Sequence, residues 1–89
     1  MIRCDVIIIN KLGLHARAAA RFVSCASMFS SRVRAGRDGR MVDGKSIMSV
    51  MLLAAAQGTT LQLEIEGGDE EAAHAALKAL IGNRFDEAE

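Results

Sequence analysis

The sequence predicts an α+β fold, a two-layer open-faced sandwich in which one antiparallel sheet carries three helices on one face. Three observations predict it. Four stretches alternate apolar and polar residues at the two-residue period of a half-buried strand. Three others carry apolar residues at helical spacing. The Arg, Glu and Asp residues of the strands gather on one face, so all three helices must cover the other. At 89 residues the chain reads as one domain, 1–89. A chain of this size buries roughly 60–65% of its unfolded surface, enough for one modest core. With three Phe and no Trp or Tyr, that core must be aliphatic.

The elements follow in order. Ile2 to Ile9 is β-branched, with Ile2, Cys4, Val6 and Ile8 on one face and Arg3, Asp5, Ile7 and Ile9 on the other, which predicts a strand. Asn10 to Gly13 breaks it. Ala16 to about Phe29 reads as a helix, its stripe formed by Ala19, Phe22, Val23, Ala26 and Phe29, with Arg17, Arg21 and Ser24 off the stripe. Ser31 to Ala35 alternates again. Gly36-Arg37-Asp38-Gly39 predicts a hairpin turn through its Asp-Gly pair, and Arg40 to Asp43 a short return strand. A second helix starts at Ser46 and runs to Gln57, with Gly58 as its left-handed cap. Leu61, Leu63 and Ile65 alternate with Gln62, Glu64 and Glu66 in the clearest strand pattern of the chain. After the Gly67-Gly68 loop, Asp69 caps the last helix, with Glu70 and Glu71 in its first turn and a core stripe of Ala73, Ala76, Leu77, Leu80 and Ile81. His74 falls on the opposite face of that helix, as a solvated residue.

Composition excludes several classes. Lys plus Arg equals Asp plus Glu, so the formal charge is zero, unlike the strongly basic balance of a nucleic-acid binder. The longest apolar stretch, Ile47 to Ala56, is too short to span a bilayer. Arg3 and Asp5 interrupt the opening run, so no signal peptide is predicted and the expected compartment is the cytoplasm. Cys4 and Cys25 fit no metal spacing and read as small buried hydrophobes. Neither a metal nor a cofactor is expected. Arg32, Arg34, Arg37 and Arg40 read as the solvated edge of a hairpin that resists aggregation.

The chemistry concentrates in Lys11-Leu12-Gly13-Leu14-His15-Ala16-Arg17. A Gly-containing turn leads to a histidine, and a helix starts immediately after it. The first amides of a helix have no intrahelical partner, and the helix dipole makes that end partly positive, so it is a ready anion site. An imidazole there, flanked by Arg17 and Arg21, could hold a phosphoryl group on nitrogen while its oxygens are neutralised. The alternative is a plain helix-start residue facing water. Free histidine titrates near 6.5, and a positive helix end with two arginines would favour a neutral ring with a lone pair for attack.

The second helix does not balance. Ile47, Val50, Met51 and Ala54 would fill a core stripe, leaving Met48, Leu52, Leu53 and Ala55 outside it. A small two-layer domain cannot bury all of these, so part of Met48, Met51, Leu52 and Leu53 should form an exposed apolar patch suited to partners. Ser46 reads as N-cap, and a phosphate on it would place close to two negative charges beside that patch.

Two stretches, Asn10-Lys11-Leu12-Gly13-Leu14-His15-Ala16-Arg17 and Asp43-Gly44-Lys45-Ser46-Ile47-Met48, resemble the signatures of the HPr family, the histidine-containing phosphocarriers of the bacterial phosphoenolpyruvate-dependent phosphotransferase system. The likeness covers nearly the whole chain. It implies a sheet of order 1-4-2-3. It also implies that His15 accepts a phosphoryl group on Nδ1 from enzyme I and passes it to enzyme II A-type components, as a carrier rather than an autonomous enzyme. Arg17 and the backbone of Ala16 and Arg17 would hold the phosphoryl oxygens. Ser46 would be the target of HPr kinase/phosphorylase, and Arg21, Lys45, Ile47, Met48, Met51 and Leu52 would form the partner surface of a monomer. The chain departs from the family at Ala18, where proline is usual; alanine suits a helix, so little loss is expected. That departure, with the Phe85-Asp86-Glu87 ending, keeps open a nitrogen-branch regulatory carrier, and a third alternative is a non-transferring interaction module.

Overall fold

The structure, a computed structural model, describes residues 1–89. The elements are β1 (Ile2–Ile7), α1 (Ala16–Ser27), β2 (Arg32–Arg37), β3 (Arg40–Asp43), α2 (Ile47–Met51), β4 (Thr60–Glu66) and α3 (Glu70–Gly82), followed by a tight turn over Arg84–Asp86. The strands form one antiparallel sheet in the order β1-β4-β2-β3. The fold class and strand order are those expected.

The register explains the two layers. Cys4 and Ala35 both stand opposite Leu63, and Ile2 and Val33 both stand opposite Ile65, so one face is apolar across three strands. The other face is a charge ladder. Glu64 sits opposite both Arg3 and Arg34, with its carboxylate 3.6 Å from Arg3 Nε and 3.3 Å from Arg34 Nη1. Such partly exposed surface pairs contribute about 0.2–1 kcal/mol each and fix register more than stability. The helices cover the apolar face through Ala18, Ala19, Phe22 and Ala26 of α1, Val50 of α2, and Ala73, Leu77 and Ile81 of α3, all fully buried. Cys4 and Cys25 pack half-buried against this core, and burial pushes both thiols up in pKa, with Lys78 and Asp5 as lesser, opposed influences on Cys4.

Several details differ from expectation. β2 continues through Gly36 and Arg37, and only Asp38-Gly39 turns, both residues with positive φ as a two-residue hairpin of the primed type requires. α1 ends at Ser27 rather than Phe29. α2 is far shorter than Ser46 to Gln57. It stops at Met51, because Leu53 and Ala54 close back onto Val50 and Met51 in tighter turns and Ala54 is left-handed. Its outward set differs too: Leu53 and Ala55 are buried, while Ile47 and Met51 point outward. Gly58 therefore caps no helix; its amide donates to Ile8 O at 2.7 Å. Arg37, expected in solvent, donates to the carbonyls of Leu53 at 3.3 Å and Ala54 at 2.9 Å and closes the end of the α2 turn. His74 is half-buried rather than fully solvated. Asp69 precedes α3, but its side chain does not cap it; the carboxylate accepts instead from the backbone and hydroxyls of Ser30 and Ser31.

Candidate phosphoryl-transfer site

The loop from Ile8 to Leu14 is fixed before it reaches His15. Leu14 N donates to Ala55 O at 2.9 Å, and the Gln57 amide donates to Ile9 O at 3.1 Å. Gly13 has φ +67°, and a Cβ there would lie 2.5 Å from Ala55 O, so both its conformation and the close approach require glycine. Asn10 is fully buried, and its Nδ2 donates to Gly13 O at 2.8 Å, closing the turn. This loop delivers His15 in an extended conformation as the N-cap of α1.

His15 makes no side-chain capping bond, so the helix start stays open. The first intrahelical bond runs from Ala19 N to His15 O at 2.8 Å, and the amides of Ala16, Arg17 and Ala18 donate to no protein group. Where proline would remove a donor, Ala18 keeps one, while its methyl is fully buried in the core. Arg17 is exposed and makes no hydrogen bond or ion pair, so its guanidinium is available to an anion. Arg21 is engaged: its Nη1 donates to Phe85 O. His15, Arg17 and Arg21 line an open cleft of about 720 Å³ whose other wall is Asp86 to Glu89, with Lys11 and Leu12 at its edge.

Nothing in the sequence around His15 announces that second wall. The chain leaves α3, turns through Arg84, Phe85 and Asp86, all with φ between 53° and 63°, and returns to the His15 loop. Left-handed residues cost about 1–2 kcal/mol each when they carry a Cβ. Here Phe85 is fully buried, Arg21 holds its carbonyl, and Asn83 Nδ2 donates to Asp86 Oδ1 at 2.8 Å. Glu87 follows and reaches the imidazole: its Oε2 pairs with His15 Nε2, and its Oε1 accepts from Asn10 Nδ2 at 2.9 Å. Lys11 Nζ lies 3.2 Å from Glu89 Oε2. Burial by itself would raise the Glu87 carboxyl; the bonds from Asn10 and His15 and the charges of His15 and Arg21 outweigh it and hold the group below the ordinary carboxylate range. The residues next to His15 in sequence place only positive groups around the ring; the carboxylate comes from the far end of the chain. The only local hint of Glu87 was its position in an acidic ending.

Ser46 lies at the other motif. It is the N-cap of α2, its Oγ accepting from Ser49 N at 3.3 Å. Asp43 orients the approach, accepting from Lys45 N at 2.9 Å. Lys45 Nζ donates to Phe29 O at 2.7 Å, two residues past the end of α1, so it is not a free cation. Ile47, Met48, Met51 and Leu52 are exposed, Met48 at 67% and Leu52 at 65%. The structure thus brings His15, Ala16, Arg17 and Arg21 together, and puts Ser46 with the exposed apolar side chains on α2. The Leu14–Ala55 bond links the two segments. No group of three His, Cys, Asp or Glu side chains converges to hold a metal, and no helix is long and apolar enough to cross a membrane.

Comparison with known proteins adds the family context. A family model described as the PTS HPr component phosphorylation site matches residues 2–83. The chain is 56% identical to the phosphocarrier protein HPr of Cupriavidus necator over the full length of both, and 58% identical to that of Pseudomonas aeruginosa over 96% of each. Among solved structures it is similar to HPr-C-His from Thermoanaerobacter tengcongensis, with TM-score 0.95, 46% identity and both chains fully covered. It is also similar to an HPr dimer from the same organism, with TM-score 0.78, 47% identity, and 98% of this chain and 100% of that one covered.

Proposed function

The chain belongs to the HPr family of phosphotransferase-system phosphocarriers, and we propose that His15 is its phosphoryl acceptor, taking the group on Nδ1 from enzyme I and handing it to an enzyme II A-type protein. The observation that carries this reading is the open start of α1. His15 caps it, three amides from Ala16 to Ala18 donate to nothing, and Arg17 is unpaired beside them. A phosphoryl group needs charge neutralisation on three oxygens and an in-line nucleophile, with little other chemistry from the protein. Backbone amides at a helix start and one free guanidinium supply the first; an imidazole nitrogen supplies the second.

Docking uses the exposed side chains of Ile47, Met48, Met51 and Leu52, with Arg21 and Lys45 at the rim. Ser46 is the regulatory residue. A phosphate added by HPr kinase/phosphorylase would keep its place at a helix start, yet would bring about −1.5 to −2 charge next to Ile47 and Met48. The protein acts in the cytoplasm as a monomer; a dimer in sedimentation at micromolar concentration would refute the monomer.

The test uses phosphoenolpyruvate and enzyme I. Wild type takes up one acid-labile phosphoryl group per chain and His15→Ala takes up none; equal uptake by the two proteins rejects the assignment. With the kinase and ATP, an acid-stable label persisting on Ser46→Ala rejects the regulatory role.

A further inference from the structure

The carrier reading needs one particular nitrogen of His15 to keep its lone pair, and the geometry points to Glu87 as the positioning residue that secures it: through the chain Asn10–Glu87–His15, Glu87 holds the ring hydrogen on Nε2 and leaves Nδ1 free for phosphorus. This inference rests on the proposed role of His15 and adds a residue to it.

Both carboxylate oxygens of Glu87 are committed. Oε1 accepts from Asn10 Nδ2 at 2.9 Å and Oε2 meets His15 Nε2. Asn10 is the anchor, since the same Nδ2 donates to Gly13 O two residues before the histidine. One buried amide therefore clamps the loop that carries the ring and the tail that carries its partner. The Glu87 side chain is only 13% exposed, so water competes poorly for it. The other charged groups around the cleft are Lys11, Arg17, Arg21, Asp86 and Glu89, and none of them bonds the ring. Nδ1 bonds no protein group.

The tautomer follows from donor and acceptor inventory. Glu87 is held in its ionised form, and an ionised carboxylate only accepts hydrogen bonds. Nε2 must then carry the hydrogen, and in the neutral ring Nδ1 must carry the lone pair. The partner of one ring nitrogen fixes the state of the other. In the transfer step the Nδ1 pair forms the bond to phosphorus, and the bond from phosphorus to the phosphorylated donor breaks, its electrons returning to the donor. The ring keeps its Nε2 hydrogen and becomes cationic, and the Glu87 carboxylate offsets that charge. Onward transfer returns the pair to Nδ1. No proton leaves the ring in either direction, which suits a carrier that must be charged and discharged repeatedly.

The experiment records ¹⁵N spectra of the histidine ring in the unphosphorylated protein, and the rate of phosphoryl uptake from enzyme I, for wild type, Glu87→Ala and Glu87→Gln. Wild type should show the single tautomer protonated at Nε2. Glu87→Ala should move both nitrogen shifts toward the mixture of free histidine. Removing the outer partner that orients a histidine costs about 10- to 100-fold at metal sites, and a similar loss of uptake rate is expected here. Glu87→Gln keeps an acceptor oxygen and should recover the tautomer and most of the rate. A Glu87→Ala protein with wild-type shifts and rate overturns the inference, and so does a Glu87→Gln protein as impaired as the alanine variant in both readouts. The failures are distinguishable: a wild-type His15 that takes up no phosphoryl group refutes the carrier reading, while the tautomer is read without any phosphoryl group present.

Discussion

At the scale of single residues, a helix-start aspartate ordinarily bonds its own helix, and Asp69 does not. Its carboxylate joins the start of α3 to the α1–β2 connection through Ser30 and Ser31. The Ser31 hydroxyl and then the Ser30 amide are the main causes that hold its pKa at about 2, against an ordinary 3.8. A carboxylate depressed in the folded state stabilises it above the unfolded pKa, and that contribution is lost as pH falls through the folded one. The wild type should therefore lose stability between pH 4 and pH 2 more steeply than Asp69→Asn, as denaturant midpoints across that range will show. Parallel curves would mean the carboxylate carries no such role. The placement of His15 and Arg17 at a helix start was legible in the sequence because it is local, a histidine followed at once by helix periodicity. Glu87 was not, because it reaches the ring from 72 positions away, and no periodicity encodes such a pairing.

At the scale of elements, α2 was legible at its start and not at its end. Ser46 caps it as the sequence implies. Its apolar residues, however, read as one long helix, since Leu52 to Ala56 contain no glycine, proline or capping residue to stop it. What stops it is tertiary. Arg37 from β2 takes the carbonyls of Leu53 and Ala54, and Ala55 O is claimed by Leu14 N. Competition from such partners overrides the weak preferences that favour helix. The shortened helix still turns Met48 outward, so Met48→Asp should weaken binding to enzyme I by tenfold or more, taking about 1–2 kcal/mol for a central interface side chain, with little change in stability. Titration calorimetry with a parallel thermal melt checks both. Unchanged binding would exclude Met48 from the docking surface, and a large fall in melting temperature would mean it acts as core.

At the scale of the whole molecule, the sandwich and its two faces were legible because alternation and helical spacing each allow few arrangements. The path of the tail was not. Three consecutive left-handed residues, Arg84 and Phe85 among them, run against local preference, and they persist because Phe85 is fully buried beneath α1 and α3. Phe85→Ala should cost about 3–5 kcal/mol, the range for buried aromatic truncation, and should release Glu87 from His15, seen as loss of the Glu87-dependent ring signature. A variant with wild-type stability would contradict this account of the tail.

All three scales meet at His15, where the carrier role we propose requires phosphorus to be taken on Nδ1 and not on Nε2. The decisive measurement phosphorylates ¹⁵N-labelled protein with enzyme I and reads the phosphorus–nitrogen coupling in the imidazole. Coupling to Nδ1 alone is expected, with Nε2 still protonated. Coupling to Nε2, or a stable label that couples to neither ring nitrogen, would contradict it.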